Sequence, residues 1–281
     1  MKPVLVGHSG FDLCVSKDNG VYLFTKSTVK DSVRLKAQCM KQKKFHRMIS
    51  SHSMMNLLFR IPCVVSESDG KGYSFSMEYV HGDSILGLIE HGKIDSLDYI
   101  VECLVSFVRW ELSFCKRVPF DSSVFIDKIN SIEGGVGGKG LKSFFNRLRV
   151  MASELDGVWL PMGLCHGDFT FSNMIFGARI TLIDFLDSFV ESPLNDMGKL
   201  CQEVDLYWSL RMSPSGVFDE AKMIVGYEYL RGRLSDEFRF VDVDSGLFLF
   251  FRVLTLTRIL PYCKDELLFD DIKKCCLELI K

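Results

Sequence analysis

The sequence predicts an α+β fold in two parts: an antiparallel sheet with one main helix over residues 1–80, then a larger, mostly helical part over residues 81–281. Three observations predict this. Short apolar runs punctuated by turn residues fill the first part. Apolar residues recur at helical spacing from Gly82 onward. One hairpin pattern, turning at Gly177-Ala178-Arg179, interrupts the helices.

The strands come first. Val4–Val6, Phe11–Ser16 and Val21–Lys26 are short runs of strand-forming residues, and Asp18-Asn19-Gly20 turns the second into the third. A helix is expected from Ser32 to Ile49, with Asp31 or Ser32 as its cap. Two more strands, Cys63–Glu67 and Tyr73–Glu78, are joined by the turn Ser68-Asp69-Gly70-Lys71-Gly72. The later helix candidates are Ser84–Glu90, Ser96–Lys116, Leu141–Leu155, Asp196–Ser209, Phe218–Leu234, Ser245–Pro261 and Phe269–Ile280. The glycine-rich run Gly134–Gly140 reads as a solvent loop between helices. It is not a Walker motif: Gly140 stands where Ser or Thr must follow the lysine, Glu133 stands at the position of the first glycine, and no strand precedes it.

Composition narrows the class. The 281 residues are 47% apolar and 25% charged, ordinary for a globular chain with a sizeable core. A net charge of −2 exerts no global pull on nucleic acid or an anionic membrane, so neither is expected as a partner. The basic run Lys41–Lys44 reads as a solvated helix face. Leu247–Leu260 is very apolar, but it is short and broken by Arg252 and Arg258; a buried core helix suits it better than a membrane span. The segment Met1–Gly7 lacks the apolar stretch of a signal peptide. Ten scattered cysteines without a Cys-x-x-Cys pair read as buried or partly buried thiols in a reducing, cytoplasmic setting.

The chemistry concentrates in residues 165–187, which read Cys-His-Gly-Asp-Phe-Thr-Phe-Ser-Asn-Met-Ile-Phe-Gly-Ala-Arg-Ile-Thr-Leu-Ile-Asp-Phe-Leu-Asp. Met174–Phe176 and Ile180–Ile183 are the two arms of the hairpin. Asp168 and Asn173 lie on the loop entering it, and Asp184 lies just past it, so folding brings all three to one end. Two carboxylates and an amide are hard oxygen donors that suit Mg²⁺ and its phosphate ligands. Phosphoryl transfer needs phosphate charge neutralised and an acceptor hydroxyl aimed in line. Asn173 and Asp184 are assigned to the metal. Asp168, left off it, is assigned as the base. The separations of five residues from Asp168 to Asn173 and sixteen to Asp184 match the kinase order of catalytic Asp, Asn partner and later metal Asp.

His166-Gly167-Asp168, Asn173 and Ile183-Asp184-Phe185 together resemble the active-site signature of the aminoglycoside phosphotransferase and choline kinase-like superfamily. The resemblance implies a bilobal, protein-kinase-like fold. It also implies transfer of the γ-phosphate of ATP or GTP to a hydroxyl of a small molecule or carbohydrate. His166 is then a brace for the loop. Ser9 and Gly10 fall where the family places its phosphate-covering loop. Lys26 resembles the lysine on the α- and β-phosphates, with Lys30 as its near competitor. The backbone at Glu78 and Val80 would read the adenine edge. Gln38 occupies the position of the helix glutamate that kinases pair with this lysine, and an amide there can still bond Lys26 with less charge assistance. Asp187 stands either near the metal or free in a solvent-facing loop. Asp196 is adequately explained as a helix N-cap.

Two other readings are distinguishable. A protein kinase fits poorly: Thr170 replaces the lysine common two residues after the base, and eleven residues between Asp184 and Asp196 leave no room for an activation segment. A non-catalytic nucleotide-binding pseudokinase is favoured by Gln38 and disfavoured by the intact Asp168, Asn173 and Asp184. The run Ile183–Phe189, followed by Ser192-Pro193-Leu194 and Asp196, resembles bacterial phosphotransferase-like proteins of capsule or surface-polysaccharide synthesis, which implies a sugar-containing acceptor. An aminoglycoside-like acceptor is the alternative within the same reading.

Overall fold

A computed structural model describes residues 4–6 (backbone alone), 10–18, 20–137, 140–214 and 216–281. In chain order the elements are β1 (Val4–Val6), β2 (Asp12–Asp18), β3 (Val21–Thr28), α1 (Ser32–Ser51), α2 (Ser53–Leu58), β4 (Phe59–Arg60), β5 (Val64–Asp69), β6 (Tyr73–Glu78), α3 (Ile85–His91) and α4 (Ile94–Leu112). There follow β7 (Lys116–Pro119), α5 (Ser122–Val136), α6 (Lys142–Glu154), β8 (Trp159–Met162), β9 (Met174–Ile175), β10 (Ile180–Leu182), α7 (Pro193–Leu206), α8 (Trp208–Met212), α9 (Glu220–Phe238), α10 (Ser245–Thr257) and α11 (Glu266–Leu279).

These elements form two compact units. One is the chain as far as Leu88 with Phe171–Asp187; the other is Ile89–Thr170 with Ser188–Lys281. The sequence division at residue 80 differs in two respects. The first unit runs eight residues further, and it takes the hairpin, because β10 pairs in parallel with β4 as well as antiparallel with β9.

The first unit is built on a five-stranded antiparallel sheet in the order β1-β2-β3-β6-β5. Alternation places Tyr73, Phe75 and Met77 of β6 on one face, where they pack with Phe11 and with Leu35 and Cys39 of α1. Asp31 stands at the α1 N-cap position without a side-chain cap bond. The turn residue Asn19 lies outside the described residues.

The second unit is mostly helical, with one antiparallel pair, β7 and β8, that the sequence reading placed in a helix or left as loop. Helix α4 therefore ends at Leu112 rather than Lys116. The helix α5 was also not expected. Its buried stripe Phe125, Ile129, Ile132 and Val136 is helical in period, and Asp121 caps it by accepting from the Ser123 N–H. Burial of that stripe outweighs the cost of about 1 kcal/mol for each glycine in a helix, so Gly134 and Gly135 lie in the last turn rather than in a loop. Gly138 and Lys139 of the same run lie outside the described residues.

Helix α7 begins at Pro193 with Ser192 as cap, three residues ahead of the expected Asp196. Helix α10 is a core helix, with Leu247, Phe250, Phe251, Val253, Leu254 and Leu256 buried. Among the described residues, Ser245–Tyr262 alone is apolar enough to suggest a membrane span, and half of it is buried. Its α-helical part is 13 residues, whereas a span needs about 20. All ten cysteines are free thiols; nine are buried or partly so, and Cys63 is exposed.

Candidate active site

The hairpin of the first unit forms as its sequence suggests. Leu182 pairs with Met174, and the Ile183 N–H donates to the Asn173 carbonyl at 3.1 Å. This last rung brings Asn173, on a 3-10 turn, and Asp184, just past β10, to the same end of the hairpin. Asp184 turns the chain away with a left-handed backbone, φ +61°, a conformation that Asp tolerates better than most residues. Phe185 is buried and tilts against Phe45 of α1 with ring centroids 4.6 Å apart. One residue on, the Leu186 carbonyl accepts from Lys41 Nζ at 2.7 Å. Lys41 is thus an anchor for this segment, and not a solvated residue of a basic run. Its neighbours in sequence, Met40 and Gln42, gave no sign of that.

Lys26 lies within β3, which continues to Thr28, so it is not at a strand end. It faces Leu13 of β2 and Phe75 of β6 in register and is 4% exposed. Its ammonium forms an ion pair with Asp184. A buried ammonium needs such a partner, because desolvation without compensation is costly. Lys30, the competitor, is exposed beyond the strand.

Gln38 does not meet the expectation of a bond to Lys26. It is buried in α1, and neither its Oε1 nor its Nε2 has a hydrogen-bond partner among the described residues. The contact that a helix glutamate would make with the lysine is replaced by Asp184. The carboxylate of Glu78 accepts from Arg60 Nη2 at 2.6 Å and from the Cys63 N–H at 3.0 Å, so its side chain braces the sheet edge. The Glu78 N–H donates to the Cys63 carbonyl, and the Tyr79 N–H to the Tyr22 carbonyl. Val80 makes no backbone–backbone hydrogen bond among the described residues. Gly10 has φ +74°, a region suited to glycine; Ser9 lies outside the described residues.

Asp168 belongs to the second unit, and the chain passes to the first between Thr170 and Phe171. Its loop is fastened at several points. Phe169 is fully buried and stacks on Phe107 of α4 at 4.9 Å. Gly167 has φ +93°, which allows the sharp turn before Asp168. His166, fully buried, accepts from the Asp168 N–H through Nδ1 at 3.3 Å; it braces the loop, as the resemblance implied.

Asp196 is not the N-cap of α7, since Ser192 fills that role. It lies fully buried in the first turn, and its two carboxylate oxygens accept from the backbone N–H groups of His166 and Gly167. One turn further along, Lys199 Nζ is 3.0 Å from Asp168 Oδ1. Sequence reasoning missed Lys199. Its only signal was a spacing of three from Asp196, which puts both on one side of the helix. Asp187 is exposed.

Among the described residues, no three His, Cys, Asp or Glu side chains cluster as a metal site. The donor pair that the hairpin brings together is Asn173 and Asp184, an amide and a carboxylate, hard donors that fit Mg²⁺ better than a softer metal.

The profile of the phosphotransferase enzyme family (APH) matches residues 141–234. No curated protein matches the chain. Several solved structures share its fold. The aminoglycoside phosphotransferase APH(4)-Ia superposes with a TM-score of 0.64 at 14% identity, covering 100% of this chain and 93% of that one. A thermostable mutant of it has been solved as a ternary complex with AMP-PNP and hygromycin B. A glucosamine kinase in complex with glucosamine, ADP and inorganic phosphate gives a TM-score of 0.61 at 12% identity, covering 100% of this chain and 76% of that one. An aminoglycoside-3'-phosphotransferase of type VIII gives 0.51 at 18% identity, covering 96% and 93%. At such identities the likeness speaks for the fold. The fold is thus that of the kinase-like phosphotransferases, and the segment holding the Asp168 loop and α7 is similar to the phosphotransferase enzyme family.

Proposed function

We propose that the protein transfers the γ-phosphate of a nucleoside triphosphate, ATP or GTP, to a hydroxyl of a small molecule or sugar. The observation that carries this reading is the buried Lys26–Asp184 ion pair, held beside Asn173 at the hairpin end. A cation and two metal-ligand types fixed around one point make a polyphosphate site out of side chains that a purely structural sheet has no need to bury. The nucleotides bound by the related kinases, AMP-PNP and ADP, support a nucleotide donor.

In this reading the first unit holds the donor. Lys26 contacts the α- and β-phosphates, Gly10 and Ser9 cover them, and the backbone at Glu78 and Val80 reads the base. Asn173 and Asp184 would hold Mg²⁺, whose charge offsets that of the phosphates. Asp168 orients the acceptor hydroxyl. As the acceptor oxygen bonds to the γ-phosphorus, the bond from that phosphorus to the bridging oxygen breaks. The hydroxyl proton passes to the Asp168 carboxylate, and the nucleoside diphosphate leaves. Lys199 holds Asp168 in place before that transfer. Free thiols suit a reducing, cytoplasmic setting for this reaction.

The test is nucleotide turnover against a panel of sugars, amino sugars and sugar acids, with Asp168→Asn as control. Acceptor-dependent release of nucleoside diphosphate is expected, reduced by about 10²- to 10⁴-fold in the variant, the range for loss of a general base. Nucleotide binding with no transfer to any acceptor would instead support the pseudokinase reading.

A further inference from the structure

The acceptor side of the second unit holds more positive charge than its own carboxylates use. Lys199 is matched by Asp168. The carboxylates nearby in sequence are already engaged. Asp196 holds the loop backbone, and Glu191 accepts from the Ser188 N–H at 2.8 Å and from the Cys165 thiol at 3.2 Å. Two further cations remain, Lys128 on α5 and Arg258 at the end of α10. Neither side chain has a hydrogen bond or ion pair among the described residues.

Packing brings these groups toward one place. The backbone of α7 at Gly198 approaches α10 so closely that an added Cβ would lie 2.6 Å from Thr255 Oγ1, three residues before Arg258. At the other side, a Cβ on Gly135 of α5 would lie 3.0 Å from Pro261 Cβ, three residues after Arg258. Lys128 stands seven residues before Gly135, two turns away on the same helix face. Its ammonium lies 5.5 Å from the ring centroid of Phe189, close to the chain that leaves the hairpin. Both cations are partly buried. Burial pulls the Arg258 guanidinium below its usual range against the attraction of nearby Asp168. Burial and the like charge of Arg258 together lower Lys128. Two partly buried, mutually repelling cations cost stability unless an anion joins them.

We propose that Lys128 and Arg258 form an anion-binding acceptor subsite next to Asp168, so that the acceptor is a hydroxylated compound carrying a carboxylate or phosphate, an acidic or phosphorylated sugar. This rests on the phosphotransferase reading and narrows it. A guanidinium suits two-pronged recognition of either anion, and Lys128 adds a point charge. An aminoglycoside, which is a polycation, would meet like charge here and be rejected.

Direct binding by calorimetry tests the charge preference whether or not turnover is seen. The probes are glucuronate, glucose 6-phosphate, glucose and glucosamine, with the full chain and its Arg258→Gln and Lys128→Gln variants. The expected result is that one of the two acids binds at least tenfold more tightly than glucose, and glucosamine more weakly still. Each variant is expected to lose about tenfold for the acid and little for glucose, and Arg258→Lys to recover part of the loss. Glucuronate preferred over glucose 6-phosphate identifies a carboxylate subsite, and the reverse a phosphate subsite. If Arg258→Gln fails to fold, Lys128→Gln carries the comparison. Equal affinity for all four sugars, preference for glucosamine, or equal losses for all ligands would overturn the subsite. Phosphate transfer to a neutral or cationic sugar would overturn it too, while leaving the phosphotransferase reading intact. Binding of acids with no transfer to any acceptor would remove the enzyme reading and leave the subsite standing.

Discussion

Lys26 and Asp184, 158 residues apart in sequence, form an ion pair within the first unit, with the lysine almost wholly buried in the sheet. Each explains the other. A lysine in the central strand needs a counter-charge, and a carboxylate at a left-handed turn needs a contact that fixes its direction. Lys26→Met is expected to lower phosphoryl transfer by about 10²-fold or more, as for loss of one charge-stabilising donor. Asp184→Asn leaves the ammonium with a weaker partner and is expected to cost about 1–3 kcal/mol in urea denaturation. Wild-type turnover and stability in both variants would show that the pair serves neither purpose.

Much of this was legible beforehand, and the reasons for the exceptions are physical. The strands of the first unit and the hairpin announce themselves by short apolar runs and turn residues, which are local signals. Asp168, Asn173 and Asp184 stand out as candidates because their spacing matches the kinase order. Lys41, Lys199 and Asp196 do not. Their roles depend on which carbonyl, carboxylate or N–H the fold brings opposite them, and a helix lysine or an acidic residue in a first turn looks the same in sequence whatever it faces. Only the last turn of α5 was hidden by glycines, Gly134 and Gly135, where burial outweighs propensity.

Asp196 supports a second prediction. Its carboxylate satisfies two backbone N–H groups in a buried loop, so Asp196→Ala leaves both without acceptors. A destabilisation of about 2–4 kcal/mol is expected from chemical denaturation. Asp196→Asn keeps one acceptor oxygen and should cost less. Turnover should fall in both, because the mounting of Asp168 loosens. A helix cap alone would cost only about 0.5–2 kcal/mol and leave turnover unchanged, which distinguishes the two roles.

Gln38 gives a third. Both ends of its amide are buried, and neither has a partner among the described residues. Gln38→Met, similar in volume and apolar, is expected to raise stability by about 1 kcal/mol, because an unsatisfied polar group is removed. Gln38→Glu buries a carboxylate instead and should lower stability, unless that carboxylate draws Lys26 away from Asp184. Urea midpoints for the two variants decide it. A Gln38→Met protein less stable than the wild type would mean that the amide is satisfied in solution.

The clamp on the His166–Gly167 backbone and the charge on Asp168 both come from one helix, α7, a single turn apart. The reactive loop is therefore less a free-standing motif than a fitting bolted to that rod. Transplanting residues 165–170 into another scaffold would carry Asp168, the proposed base, but not its mount. An engineer seeking a new acceptor range would do better to keep loop and rod together and redesign around them.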